Sequence, residues 1–156
     1  MEPPFEKLDG VVSVESGYIG GKLPNPTYKQ VSSGTSGHIE AVLITFDDSK
    51  VSYDQLLNVF WKNIDPVDSK GQFCDKGEQY TSGIFFKDEK QEKIARASKA
   101  KVEKKLKTVA TFIRKNSTFY PAEDYHQDYY KKNPVRYKFY RYNCGRDKRL
   151  EEIWGE

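Results

Sequence analysis

Residues able to do chemistry gather in four short segments: Gly17-Tyr18-Ile19-Gly20-Gly21, Gly37-His38-Ile39-Glu40, Asp75-Lys76-Gly77-Glu78-Gln79-Tyr80, and the run from Phe119 to Tyr129. The last sets aromatic rings beside Glu123, Asp124 and His126, a density of rings and acids that suits a pocket wall better than a solvated loop. Asp124 to Tyr130 equally suits the first turns of an amphipathic helix with its rings on the core. Glu40 is the sharpest single candidate. His38 to Phe46 alternates, with Val42, Ile44 and Phe46 on one face, and the same period places Glu40 there too. A carboxyl on an apolar face is desolvated, which favours the protonated form that a general acid needs. The placement serves a buried Glu paired with Lys or Arg just as well. A serine triad is not supported, since Ser32-Ser33-Gly34 reads as loop and no serine lies in a nucleophile elbow.

The two cysteines, Cys74 and Cys144, lie far apart without CxxC or metal-ligand spacing, which argues against a zinc finger and a disulfide scaffold. Asp75 next to Cys74 disfavours a thiolate there. Arg141 and Arg146 near Cys144 favour one. Either cysteine also reads as a plain thiol.

Several elements must position these groups. Val11 to Val14 predicts a strand that enters a Gly-rich turn at Gly17 to Gly21, and the Pro, Ser and Gly content of residues 23–37 predicts a long ordered loop. His38 to Phe46 is a strand. Ser52 with Gln55 predicts a capped helix running to about Asn63 before Asp65-Pro66. Ser82 to Phe86 and Thr108 to Arg114 predict strands on either side of a Lys/Glu-rich helix over Asp88 to Lys107, whose charge run is a solvated face. Interleaved strands and helices imply an α+β two-layer sandwich with a mixed sheet.

At 156 residues the chain has the size of one domain. Its net charge of +3 with 31% charged residues describes an ordinary surface, too weakly basic to argue for nucleic acid. Tyr129 to Arg149 alternates rings with Lys and Arg as in a single-strand stacking groove, but such rings more often pack a domain edge, so no nucleic-acid partner is expected. The chain has neither an apolar run long enough for a membrane nor a signal-peptide core, so the expected location is the cytoplasm.

Taken in order, the four motifs closely resemble those of the peptide methionine sulfoxide reductase A family, from Glu2 to Gly155. The resemblance implies a fold built on a mixed sheet related to the ferredoxin-like arrangement, with no metal or organic cofactor. It implies reduction of methionine S-sulfoxide in proteins and as the free amino acid, by a monomer that draws on thioredoxin or a similar thiol donor. Glu40 would protonate or hydrogen-bond the sulfoxide oxygen. Tyr18, Tyr80 and Tyr137 match pocket tyrosines, whose phenols can donate to that oxygen while the rings pack the substrate methyl. Asp75 matches an acid that holds the substrate backbone or a water, though alone it also suits an Asx-turn before Gly77. His126 and Asp124 match the Ala-Glu-Asp-x-His-Gln motif that supports the pocket, and Cys144 becomes the candidate resolving thiol.

The family's nucleophile is a cysteine in a Gly-Cys-Phe-Trp segment, which this sequence does not contain. The resemblance sets that segment and the strand leading into it just ahead of Met1. The expected unit is therefore a single domain over residues 1–156 lacking its N-terminal strand and catalytic segment. A truncated chain, a misplaced start codon and an upstream selenocysteine read as a stop are the three readings of this. The alternative function is a sulfoxide-binding module that does not turn over. A missing mid-sheet strand would leave neighbouring backbone groups unpaired at roughly 1–3 kcal/mol each, against a total stability of about 5–15 kcal/mol.

Overall fold

Side-chain caps start helices where the sequence places its polar switches. Ser52 Oγ accepts from the Gln55 N–H at 3.1 Å while the Ser52 N–H donates to Gln55 Oε1 at 2.8 Å, which starts helix α3 (Tyr53–Lys62). Asp88 caps helix α4 (Glu89–Leu106) by accepting from the Gln91 N–H at 2.9 Å. The computed structural model describes residues 2–34, 36–68, 71–72, 75–76, 81–123 and 145–154. In chain order it has α1 (Glu2–Glu6), β1 (Val11–Ile19), α2 (Tyr28–Ser32), β2 (Ile39–Phe46), α3, β3 (Gly71–Gln72), β4 (Asp75–Lys76), β5 (Gly83–Phe86), α4, β6 (Phe112–Lys115), β7 (Tyr120–Pro121) and α5 (Arg146–Trp154).

The α+β class holds, and both strand senses are present. Among the described residues they form separate ladders: an antiparallel sheet ordered β2-β1-β7, a parallel pair β5-β6 joined through α4, and the short antiparallel pair β3-β4. One helix packs on both larger sheets. Leu57 and Trp61 of α3 join Ile64, Ile84, Ala95 and Val102 in one buried cluster, while Leu56 joins Phe5 and Val51 in another, against Val14, Val42 and Ile44. Tyr53 and Phe60 pack against both clusters. The Trp61 indole N–H donates to Ser98 Oγ at 3.1 Å, so its one polar atom is satisfied inside the α3–α4 contact.

Three boundaries differ from the sequence reading. β1 does not stop at Val14 but runs to Ile19, because Gly17 sits inside the strand under the Phe119 ring, where any Cβ would collide with that ring and with the Tyr120 carbonyl. The loop over 23–37 contains α2, capped by Thr27 and Gln30 in the same reciprocal pattern as α3. The strand expected from Thr108 starts only at Phe112. The Ala110 N–H is taken by the Pro66 carbonyl at 2.7 Å, and the parallel ladder begins where the Phe112 N–H reaches the Ser82 carbonyl.

Helix α5 is fixed to the end of α3. The Arg149 Nε–H donates to Asp65 Oδ2 at 2.9 Å, and the Arg146 guanidinium donates to the Asn63 carbonyl. Asp65 is buried and is itself held: Gln72 exchanges two hydrogen bonds with its backbone, at 2.8 and 2.7 Å, and its own Oδ1 accepts from the Val67 N–H at 3.1 Å. The two arginines of the supposed nucleic-acid stretch that are described are thus turned onto the domain.

Two predictions follow from this packing. Asp65→Ala should cost about 1–3 kcal/mol by removing both acceptors, and amide exchange in 146–154 should accelerate more than in α3; equal protection of α5 in both proteins would refute the anchoring role. Burial, with the Asp88 carboxylate nearby, pushes the Tyr53 phenol up to about 12. The folded chain then holds this proton more tightly than the unfolded chain, whose tyrosines ionise near pH 10. Its stabilising effect is complete below about pH 10 and is lost as the pH rises toward 12. Tyr53→Phe should show a shallower alkaline fall in urea midpoint than the parent, and identical slopes would contradict the shift.

Candidate active site

The register of β1 on β2 builds the site. Tyr18 lies directly opposite Glu40 and, on its other side, directly opposite Tyr120 of β7. Directly paired residues share a face, with Cβ atoms about 5 Å apart, so Glu40, Tyr18 and Tyr120 form one row across three strands. Tyr18 is 1% exposed, while Glu40 and Tyr120 are half-buried. Along β2 the same face continues through Val42 and Ile44 into the cluster beneath α3, so Glu40 stands at the polar end of an apolar strip.

Beside Tyr18 and Glu40 opens a cleft of about 1280 Å³. Tyr18, Glu40 and Val42 line it from one sheet, Gly83 and Phe85 from the other, and Phe60 from α3. It exceeds the roughly 300–1,000 Å³ of a usual small-ligand pocket. A carboxyl and a phenol side by side at the edge of an apolar wall can both address one oxygen of a ligand whose remaining substituents are apolar, provided the carboxyl carries its proton.

The neck of the loop between β1 and β2 is held by His38, which is 2% exposed. The Gly21 N–H donates to His38 Nδ1 at 3.1 Å, and Nε2 lies 2.6 Å from the Leu23 carbonyl. The His38 ring stands edge-on to Tyr120, with centroids 5.5 Å apart and planes at 84°. Further along, the Glu123 carboxylate accepts from the Tyr28 N–H at 3.0 and 3.3 Å and ties the start of α2 to the segment after β7.

The structure therefore brings together Tyr18 and Glu40. Asp75 is placed only by its backbone, in β4 opposite Gln72. Tyr80, Asp124, His126, Tyr137, Cys74 and Cys144 lie outside the described residues. Three participants were not singled out from sequence: Tyr120, His38 and Glu123. Tyr120 and Glu123 sit in the ring-and-acid run and His38 in the motif of Glu40. What the sequence could not supply was the register that carries Tyr120 to Tyr18 and the fold-back that carries Glu123 to Tyr28.

The sequence profile of the family described as peptide methionine sulfoxide reductase matches residues 1–156. The chain is 49% identical over 158 residues to peptide methionine sulfoxide reductase MsrA of Bacillus licheniformis, covering 99% of this chain and 87% of that protein. It is 51% identical over 160 residues to peptide methionine sulfoxide reductase MsrA/MsrB of Vibrio cholerae, covering 99% of this chain but spanning only 42% of that longer protein. Among solved structures, reduced Mxr1 from Saccharomyces cerevisiae superposes with a TM-score of 0.77 at 30% identity, covering 83% of this chain and 76% of that one. Methionine sulfoxide reductase A of Corynebacterium diphtheriae superposes with a TM-score of 0.76 at 31% identity, covering 86% and 69%. With its whole length matched by the family profile and nearly half its residues shared with a relative of similar size, the chain belongs to the methionine sulfoxide reductase A family of enzymes.

Proposed function

We propose that the Glu40–Tyr18 pair receives the sulfoxide oxygen of methionine S-sulfoxide, in peptides and in the free amino acid, as the oxygen-binding side of a thiol-dependent reductase. The single observation that carries this reading is the direct cross-strand pairing of Tyr18 with Glu40 at the edge of a cleft that Val42, Phe60 and Phe85 also line. Such a pair suits an S=O group: the protonated carboxyl and the phenol donate to oxygen while the apolar wall takes the methyl and side-chain methylenes. Tyr80 and Tyr137 complete the pocket, Asp75 holds the substrate backbone or a water, and His126 orients its neighbours. These four roles rest on the family motifs alone.

The reaction balances as two steps. A cysteine thiolate attacks the sulfoxide sulfur, the oxygen passes to the cysteine as a sulfenic acid, and methionine leaves, with Glu40 supplying a proton to the oxygen as charge develops on it. A second thiol then condenses with the sulfenic acid, releasing water and leaving a disulfide that a dithiol such as thioredoxin reduces. In the family pattern the nucleophile is the cysteine of a Gly-Cys-Phe-Trp segment, which the 156 residues do not contain. Cys144 is the candidate resolving thiol. Among the described residues no helix is long and apolar enough to cross a membrane.

Binding to N-acetyl-methionine-S-sulfoxide methylamide tests the oxygen-binding pair without requiring turnover. The 156-residue chain should bind the S-epimer in preference to the R-epimer and to the sulfide. Tyr18→Phe and Glu40→Ala should each weaken that binding by about 1–2 kcal/mol, or roughly 5- to 30-fold, as expected for a lost hydrogen bond in a partly buried site. Unchanged affinity in both variants would remove these residues from the site. Thiol-dependent reduction by a chain extended with the Gly-Cys-Phe-Trp segment, and none by residues 1–156 alone, would place the nucleophile; reduction by residues 1–156 alone would transfer that role to Cys74 or Cys144.

A further inference from the structure

We propose that His38 is a positioning residue, whose imidazole fixes the spacing of Tyr18 and Glu40 by continuing the β1–β2 pairing past the end of its backbone ladder. The proposal rests on the reading of that pair as the oxygen-binding site. The ladder stops at Ile19 opposite Ile39. Beyond it the chain turns away at Gly20 and does not return to β2 until His38. The last pair, Ile19 and Ile39, is buried, but the end of a ladder opens more readily than its interior, and Tyr18 and Glu40 stand only one step inside that end.

The imidazole closes the end in place of backbone groups. The Gly21 N–H donates to Nδ1, so Nδ1 is unprotonated, and the contact of Nε2 with the Leu23 carbonyl then requires Nε2–H. Only the neutral Nε2–H tautomer satisfies both partners, because a proton on Nδ1 would face the Gly21 N–H. One ring therefore ties β2 to two points of the chain leaving β1. The approach is too close for any other residue at position 21: a Cβ there would fall 2.5 Å from the His38 nitrogen and 2.7 Å from its ring. The backbone of His38 is also held, its N–H donating to Ser36 Oγ at 3.1 Å.

The ring acts on the third member of the row as well. Its edge-on contact with Tyr120 links the start of β2 to β7, and Tyr120 pairs with Tyr18. His38 thus touches the segments that flank Tyr18 on both sides and lies two residues from Glu40. It contributes no atom to the row, so its effect on a ligand would pass through the placement of Tyr18 and Glu40. A role confined to loop stability would lower the melting temperature and leave that placement unchanged.

Three variants separate these roles. His38→Asn keeps an acceptor near Nδ1 for the Gly21 N–H, His38→Gln offers an N–H near Nε2 for the Leu23 carbonyl, and His38→Leu keeps bulk but neither bond. In the ligand-free protein, the carboxyl carbon resonance of Glu40 and the ring resonances of Tyr18 should move in His38→Leu and return toward the parent in His38→Asn. Preference for the S- over the R-epimer of N-acetyl-methionine-sulfoxide methylamide should fall about tenfold in His38→Leu, a loss in keeping with a small misplacement of reacting groups, and should largely recover in His38→Asn. Resonances and epimer preference that match the parent in all folded variants would overturn the proposal, whatever happens to the melting temperature. If His38→Leu does not fold, the comparison of His38→Asn with His38→Gln decides: equivalence of both to the parent overturns it, and recovery in His38→Asn alone supports it. A parent chain that fails to bind the sulfoxide, while the Glu40 and Tyr18 resonances still respond to His38, would sink the oxygen-binding reading and leave the positioning of the pair standing.

Discussion

Everything proposed for the site depends on the register between β1 and β2. Side chains alternate along a strand with a period of two, so a slip of one residue would turn either Tyr18 or Glu40 to the opposite face and separate them. The register is held at its far end by apolar contacts: Val14, Val42 and Ile44 pack on the cluster of Phe5, Val51 and Leu56, and a slip would expose them together with the site. The proposed site and the core are therefore specified by the same alignment. At the near end the ladder closes on the buried pair Ile19 and Ile39, and the buried imidazole of His38 stands just beyond it.

Helix α3 fixes the second dimension of the site. Its Leu56 side belongs to the antiparallel sheet, its Leu57 and Trp61 side to α4 and β5, and Tyr53 and Phe60 belong to both. The separation of the two sheets, and so the width of the cleft, is set by the volume of these side chains. Close-packed interiors transmit such changes. A large-to-small substitution at Phe60 would thus alter the cleft as well as stability, although Phe60 carries no reactive group.

Much of this was legible in the sequence where local chemistry dictates local structure. The Ser52–Gln55 box, the alternation of β2 and the stripe of α4 announced their elements, and alternation alone placed Glu40 on the core face of its strand. The same box at Thr27–Gln30 was equally readable, but the surrounding Pro, Ser and Gly residues masked it. Long-range facts were not readable. Gly17 reads as the start of a turn, yet it lies mid-strand because a ring more than a hundred positions later covers it. Thr108 to Ala110 reads as strand, yet the Pro66 carbonyl takes the hydrogen bond that a ladder would need. The motif residues carried the family, while the neighbours that hold them, Tyr120, His38 and Glu123, could be found only by folding the chain.

The pairing of β7 with β1 bears on the order in which the protein assembles. β1 and β2 are neighbours in sequence, and β5, α4 and β6 follow one another with short links, so these contacts close smaller loops than the pairing of β7 does. β7 comes later in sequence than all of them and pairs with Gly17 and Tyr18 of β1, while the Ala122 N–H just beyond it donates to the Ser16 carbonyl. During synthesis β1 gains this partner only after residues 120–121 have emerged. An open edge is a template for pairing with other chains. The irregular register near Val11 and Ser13, and the charge on Glu15, make that edge a poorer template during the wait.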